Sequence, residues 1–139
     1  WSPYLAGEGR FFQGWNRNKR GMAVDLTTER GREIVQELAR RSDVVIENFR
    51  RGVTRKLGID YETLSAVNPR LVYCSCTAFG SRGPQRDRPG YDPVLQTISG
   101  TAIGQHRYNR GITAICVIAV SDYQAGMLMV AGACAALYR

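Results

Sequence analysis

The chain has 139 residues, which is room for one ordinary domain and not two. Apolar types make up 44% and charged types 22%, a balance that supports a packed core and excludes global disorder. Basic residues number 19 and acidic ones 12, for a net charge of +7, and no stretch is long and apolar enough to span a membrane.

Trp1 to Trp15 mixes glycine, proline, aromatic and polar residues without a period and reads as an irregular segment. Met22 to Leu26 is a short apolar-rich run and reads as a strand. Thr27 or Thr28 then offers an N-cap, with Glu29 in the first turn. Ile34, Val35, Leu38 and Ala39 follow at helical spacing, with arginine and glutamate on the other faces. Val44-Val45-Ile46 is a β-branched run suited to a buried strand. Asn48 to Gly52 reads as a loop and Val53 to Leu57 as a short helix ended by Gly58. A second helix runs from Asp60 or Tyr61 through Val67 and stops at Asn68-Pro69. Leu71 to Cys76 is another strand.

Phe79 to Asp92 is a long segment of glycine, proline and arginine, a length that tends to be functional or mobile. Pro93 to Ser99 reads as a helix with Pro93 in its first turn and Gly100 past its end. Gly104 to Gly111 is a polar loop, Ile112 to Val120 a strand, and Asp122 to Tyr138 a helix. That last helix is apolar nearly all round, which predicts burial or tight packing on a partner. Helices alternating with apolar strands give an α/β class: a Rossmann-like parallel sheet flanked by helices. Ligands of such sheets gather at the carboxyl ends of the strands, here the loops starting at Asn48 and Thr77.

The positive charge is uneven. Arg10 to Lys56 holds twelve basic and six acidic residues, and the remainder seven and six. Seventeen of the basic residues are arginine, the type suited to bidentate phosphate contacts. A solvated basic face is the plain reading, and a polyanionic ligand the functional one. Cys74, Cys76, Cys116 and Cys134 each lie in an apolar run, read as free buried thiols in a reducing, cytoplasmic setting. The Cys74-Ser75-Cys76 spacing and the single His106 are wrong for a zinc site, so no metal is expected. No standard phosphate loop is present.

Asp122 carries the most information. It lies between an apolar strand and an apolar helix, where an aspartate can cap the helix. The same position lets the positive helix end hold an ionised carboxylate able to attack an acyl carbon. Gly126, four residues on, falls on the same face and leaves space for a ligand.

Several ordered motifs resemble one family. Asn16-Arg-Asn-Lys-Arg-Gly-Met-Ala-Val-Asp-Leu26 resembles the NRNKRSVALDL signature of family III CoA-transferases, the CaiB–BaiF group. Asp43-Val-Val-Ile-Glu-Asn-Phe-Arg50 is similar to that family's DVVIENFRPG. Asn68 to Tyr73, Phe79 to Pro84, Arg88 to Asp92 and Ser121 to Gly126 match in order and spacing. The resemblance implies transfer of coenzyme A between an acyl-CoA and a carboxylic acid through an aspartyl-CoA thioester on Asp122. It implies coenzyme A contacts from Asn18, Lys19, Arg20, Asn48, Phe49, Arg50, Lys56 and Leu57, with Tyr91 and Gly126 in the active-site loop region. Coenzyme A and acyl-CoA are then substrates, no cofactor is tightly bound, and the chain forms a homo-oligomer.

Two departures matter. The racemase branch has a histidine at the position of Tyr91, and tyrosine is a poor base at neutral pH, so racemase activity is disfavoured. Against the family pattern the chain reads as one partial domain over 1–139, the N-terminal part of the large domain truncated at both ends, with 16–139 carrying the resemblance. That leaves a coenzyme A-binding or self-associating module without turnover as the alternative to an enzyme. A nucleic-acid binder is the third class, and no recognition motif supports it.

Overall fold

The computed structural model describes residues 4–5, 8–105, 110–111, 115 and 119–138, with side chains described from residue 12 onward. The element order is β1 (Tyr4–Leu5), β2 (Glu8–Gly9), α1 (Arg10–Trp15), α2 (Glu29–Arg40), β3 (Val44–Glu47), α3 (Val53–Lys56), α4 (Tyr61–Val67), β4 (Val72–Ser75), α5 (Asp92–Ile98), α6 (Thr101–Gly104) and α7 (Val120–Leu137). Within the segment expected to be irregular over Trp1–Trp15, the described residues form the antiparallel β1–β2 pair and α1.

The centre is a parallel pair. β3 and β4 align Val44 with Val72 through Glu47 with Ser75. A parallel pair needs a crossover, and α3 and α4 supply it. The fold is therefore mixed helix and sheet around a parallel pair, as the alternation predicts. The expected strand over Ile112–Val120 lies mostly outside the described residues, except that Val120 is helical.

Met22–Leu26 is not a strand. Residues 22–25 form no regular element, Leu26 already belongs to a turn, and no described strand pairs with the run to complete a ladder. Its end is instead committed to a turn. Asp25 Oδ1 accepts from the Thr27 amide (2.9 Å) and hydroxyl (2.6 Å), and the Thr28 hydroxyl donates to Asp25 O (2.8 Å). Thr28 then caps α2 by accepting from the Gly31 amide at 3.0 Å. Gly31 is buried here, and a Cβ on it would lie 1.8 Å from Asp25 O. The close approach requires glycine.

The core is small. Ala39, Ile59, Leu64 and Leu71 are buried together, with Leu26, Val35, Val45, Leu57 and Tyr73 packed against them. Asn68 locks the corner, its Nδ2 donating to Ala39 O and Ser42 O, both at 2.9 Å. Asp60 caps α4 by accepting from the Thr63 amide at 2.9 Å. Pro93 enters the first turn of α5, as the sequence predicts.

The cysteines differ from expectation. Cys74 and Cys76 are only half-buried, Cys134 is exposed, and Cys116 lies outside the described residues. Cys134 is exposed because α7 itself is poorly covered. It packs against β4 and α5, buries only Ala133, and leaves Met127 and Leu128 each 74% exposed. Burial of this helix is thus not achieved within the described residues.

Replacing Gly31 by alanine must push Cβ into the Asp25 carbonyl. The expected loss is about 1–3 kcal/mol, read as a lower urea midpoint. An unchanged midpoint would show that the α2 entry adjusts freely.

Candidate active site

Asp122 is the third residue of α7, not its cap. The cap position is Ala119, which enters the helix at φ 50°, ψ 56°. That left-handed conformation is costly for alanine. Its carbonyl accepts from the amides of Asp122 (3.1 Å) and Tyr123 (3.2 Å). The Asp122 carboxyl therefore stands in the positive first turn of an 18-residue helix.

A second carboxylate fixes this turn. Asp92, at the start of α5, is only 5% exposed. Its Oδ1 accepts the Ser121 amide at 2.8 Å, and its Oδ2 accepts from Gln96 Nε2. Gln96 is itself 1% exposed. Asp92 thus ties α5 to the residue before Asp122. Sequence reading missed this pair, because the bond spans 29 positions and nothing local marks it.

The electrostatic consequence is direct. Asp122 is exposed, but partial desolvation of its carboxyl lifts its pKa above the usual aspartate value, and the charge of Asp92 lifts it further. A carboxylate more basic than usual is also a stronger nucleophile once ionised.

Two clefts surround these residues. One, of about 740 Å³, is lined by Trp15, Lys19, Ala119, Asp122, Tyr123, Gly126, Met127, Val130 and Ala131. It brings together three residues expected from sequence: Lys19, Asp122 and Gly126. A Cβ on Gly126 would meet nothing within 4 Å, which agrees with open space above Asp122. The wall is apolar, and Trp15 crosses to it from α1, its Nε1 donating to the Tyr123 hydroxyl at 2.6 Å. The two rings meet edge to face at 5.8 Å.

The other cleft, of about 450 Å³, opens at the carboxyl ends of β3 and β4. Its lining holds Asn48, Phe49, Arg50, Thr77 and Tyr91 together with Arg51, Arg86 and Arg88. The loops starting at Asn48 and Thr77 meet here, as the parallel-sheet rule predicts. Arg51 is paired with Asp87 at 3.0 Å, and Arg88 lies over the Phe79 ring at 5.8 Å. Asn48 is already engaged, its Nδ2 donating to Cys76 O at 2.7 Å.

The remaining candidates sit apart. Asn18, in a left-handed turn at φ 63°, and Arg20 are exposed and line neither cleft. Lys56 is exposed, and Leu57 packs on the core cluster, so neither lines either cleft. Tyr91 is exposed and lines the second cleft, and it is not among the residues lining the Asp122 cleft. No group of three or more potential metal ligands occurs among the described residues, and no described helix is long and apolar enough to cross a membrane.

The sequence profile of CoA-transferase family III matches residues 1–139. This chain belongs to that family. It is 36% identical over 138 residues to the acetyl-CoA:oxalate CoA-transferase of Acetobacter aceti, covering 99% of this chain and 36% of that protein. It is 48% identical over 90 residues to a succinate–glutarate CoA-transferase of Agrobacterium fabrum, covering 65% of this chain and 22% of that one. Among solved structures, a CaiB/BaiF family protein from Brucella suis superposes with TM-score 0.83 at 37% identity, covering 96% of this chain and 36% of the other. The chain therefore spans about a third of the length of such relatives.

The raised pKa sets a pH dependence. An ionised Asp122 opposes folding above its folded-state pKa, and the penalty fades as pH falls towards the usual aspartate value of 3.8. Asp122→Asn is expected to raise the melting temperature at pH 7, with the gain shrinking as pH falls through 4. A gain that is absent at pH 7, or that grows on acidification, would contradict the assignment.

Proposed function

We propose that the chain carries the nucleophile and nucleotide-side half of a CoA-transferase that moves coenzyme A between an acyl-CoA and a carboxylic acid. The observation that carries this reading is the Asp122 carboxyl. It stands in a helix first turn, is lifted in pKa, and faces an open cleft beside Gly126 and Lys19.

The chemistry balances without an external energy source. The Asp122 carboxylate attacks the thioester carbonyl and expels the coenzyme A thiolate, leaving a mixed anhydride. The thiolate attacks the aspartyl carbonyl of that anhydride and releases the donor acid as its carboxylate. The acceptor carboxylate attacks the aspartyl-CoA thioester, again expelling thiolate. Thiolate attack on the acyl carbonyl of the second anhydride yields the new acyl-CoA and restores the Asp122 carboxylate. Lys19 lines the same cleft, and its ammonium would offset the negative charge that develops at the carbonyl oxygens.

The arginine-rich cleft at the strand ends suits the phosphates of coenzyme A. Phe49 and Tyr91 there offer apolar surface to the adenine. The pantetheine arm then runs from this cleft towards Asp122. Tyr91 in place of a histidine supports acid-to-acid transfer over racemisation. The exposed apolar face of α7 supports association with a second copy of the chain.

Incubation with acyl-CoA is expected to add mass to Asp122, read by intact-mass spectrometry. Asp122→Ala should abolish the adduct and lower any transfer rate by about 10³-fold or more. An adduct that persists in Asp122→Ala would overturn the mechanism. Light scattering at high concentration is expected to give twice the 15.5 kDa chain mass. A monomer there would remove the proposed association.

A further inference from the structure

The chain leaves the parallel pair in an unusual way. Cys76 N donates to Glu47 O at 3.0 Å, which is the last backbone rung between β3 and β4. In a regular parallel ladder the next rung would run from the Phe49 amide to Cys76 O. Neither group makes that bond. Asn48 Nδ2 donates to Cys76 O at 2.7 Å, and the Phe49 amide donates to Glu47 Oε2 at 2.8 Å. Two consecutive side chains thus stand in for the two ends of one rung. Backbone polarity stays satisfied while the chain is freed to turn out of the sheet.

Glu47 is otherwise hard to explain. It is a carboxylate at the end of a strand that is apolar up to that point, and it is only 9% exposed. A buried carboxylate is retained at a cost unless it is hydrogen-bonded. The bond it makes is the one that fixes the direction of residues 48–50.

We infer that Glu47 is a positioning residue: by accepting the Phe49 amide in place of the missing backbone rung, it holds Asn48, Phe49 and Arg50 in the arrangement that receives coenzyme A. This rests on the functional reading above for the ligand, but not for the turn itself. Glutamine keeps an acceptor oxygen at the same reach, and alanine does not. The carboxylate therefore acts through hydrogen-bond geometry and not through net charge.

The test uses the intact chain, titrated with coenzyme A by calorimetry, with amide exchange of Phe49 followed by NMR. Glu47→Ala is expected to weaken binding about tenfold and to expose the Phe49 amide to exchange. Glu47→Gln should keep affinity within about threefold of wild type and keep the amide protected. A purely structural role would lower the melting temperature of Glu47→Ala while leaving the affinity of the folded protein unchanged, and that result overturns the inference. So does a Glu47→Gln variant as weak as alanine. Should Glu47→Ala fail to fold, the glutamine variant decides: retained affinity with a protected Phe49 amide supports the inference, and weakened binding at wild-type stability overturns it. No binding by the wild-type chain would remove the functional reading, and Phe49 exchange in the two variants would still decide whether Glu47 holds the turn.

Discussion

The parallel pairing of β3 with β4 is the constraint from which the candidate site follows. Two strands of four residues each align end to end, so their following loops must leave the sheet side by side. That brings segments 29 positions apart, at Asn48 and Thr77, to the rim of one cleft. The pairing is held from the other side by a small core and by Asn68, which closes the corner between α2 and the strand that follows it. A shift of one residue in register would turn Val45 away from Leu64 and its neighbours and carry Glu47 off the loop it anchors. Fold and site are therefore specified by the same few contacts.

A second long-range tie does the equivalent work for Asp122, the proposed nucleophile. Asp92 accepts the Ser121 amide, so α5 dictates where α7 begins. The tie has an electrostatic side as well. Asp92 is buried close enough to Asp122 to lift its pKa, while the helix end stabilises the charged form. The two influences oppose each other: loss of hydration and the neighbouring carboxylate raise the pKa, and the positive helix end works against them.

What was legible in the sequence was mostly local chemistry. Thr28 and Asp60 cap their helices, and Pro93 opens α5, because each effect acts within three or four residues. The α/β alternation was legible because apolar period and length suffice for it. The strand expected over Met22–Leu26 was not realised, since a strand is defined by a partner and local composition cannot supply one. Asp122 read as a cap because nothing in the sequence marks Ala119 as left-handed. Leu57, named as a nucleotide contact only through resemblance, is half-buried against the core cluster, a placement that only the fold determines. Asp92, Gln96 and Glu47 escaped notice for one reason: each acts through a bond to a group whose position only the fold determines.

The two clefts differ in a way that bears on how the proposed reaction is kept dry. Phosphate recognition by arginine tolerates water, and the arginine-lined cleft is open and polar. An acyl-aspartate anhydride does not tolerate water, because hydrolysis competes with thiolate attack. Asp122 is exposed, and the walls of its cleft along α7 are apolar side chains facing outward, among them Met127 and Val130. Those side chains do not hydrogen-bond substrate, and their exposure costs free energy at about 25 cal/mol per Å² of apolar surface. Covering them would relieve that cost and exclude water from the nucleophile in the same event. Under the proposed mechanism the apolar character of α7 and the acyl chemistry assigned to Asp122 serve one requirement.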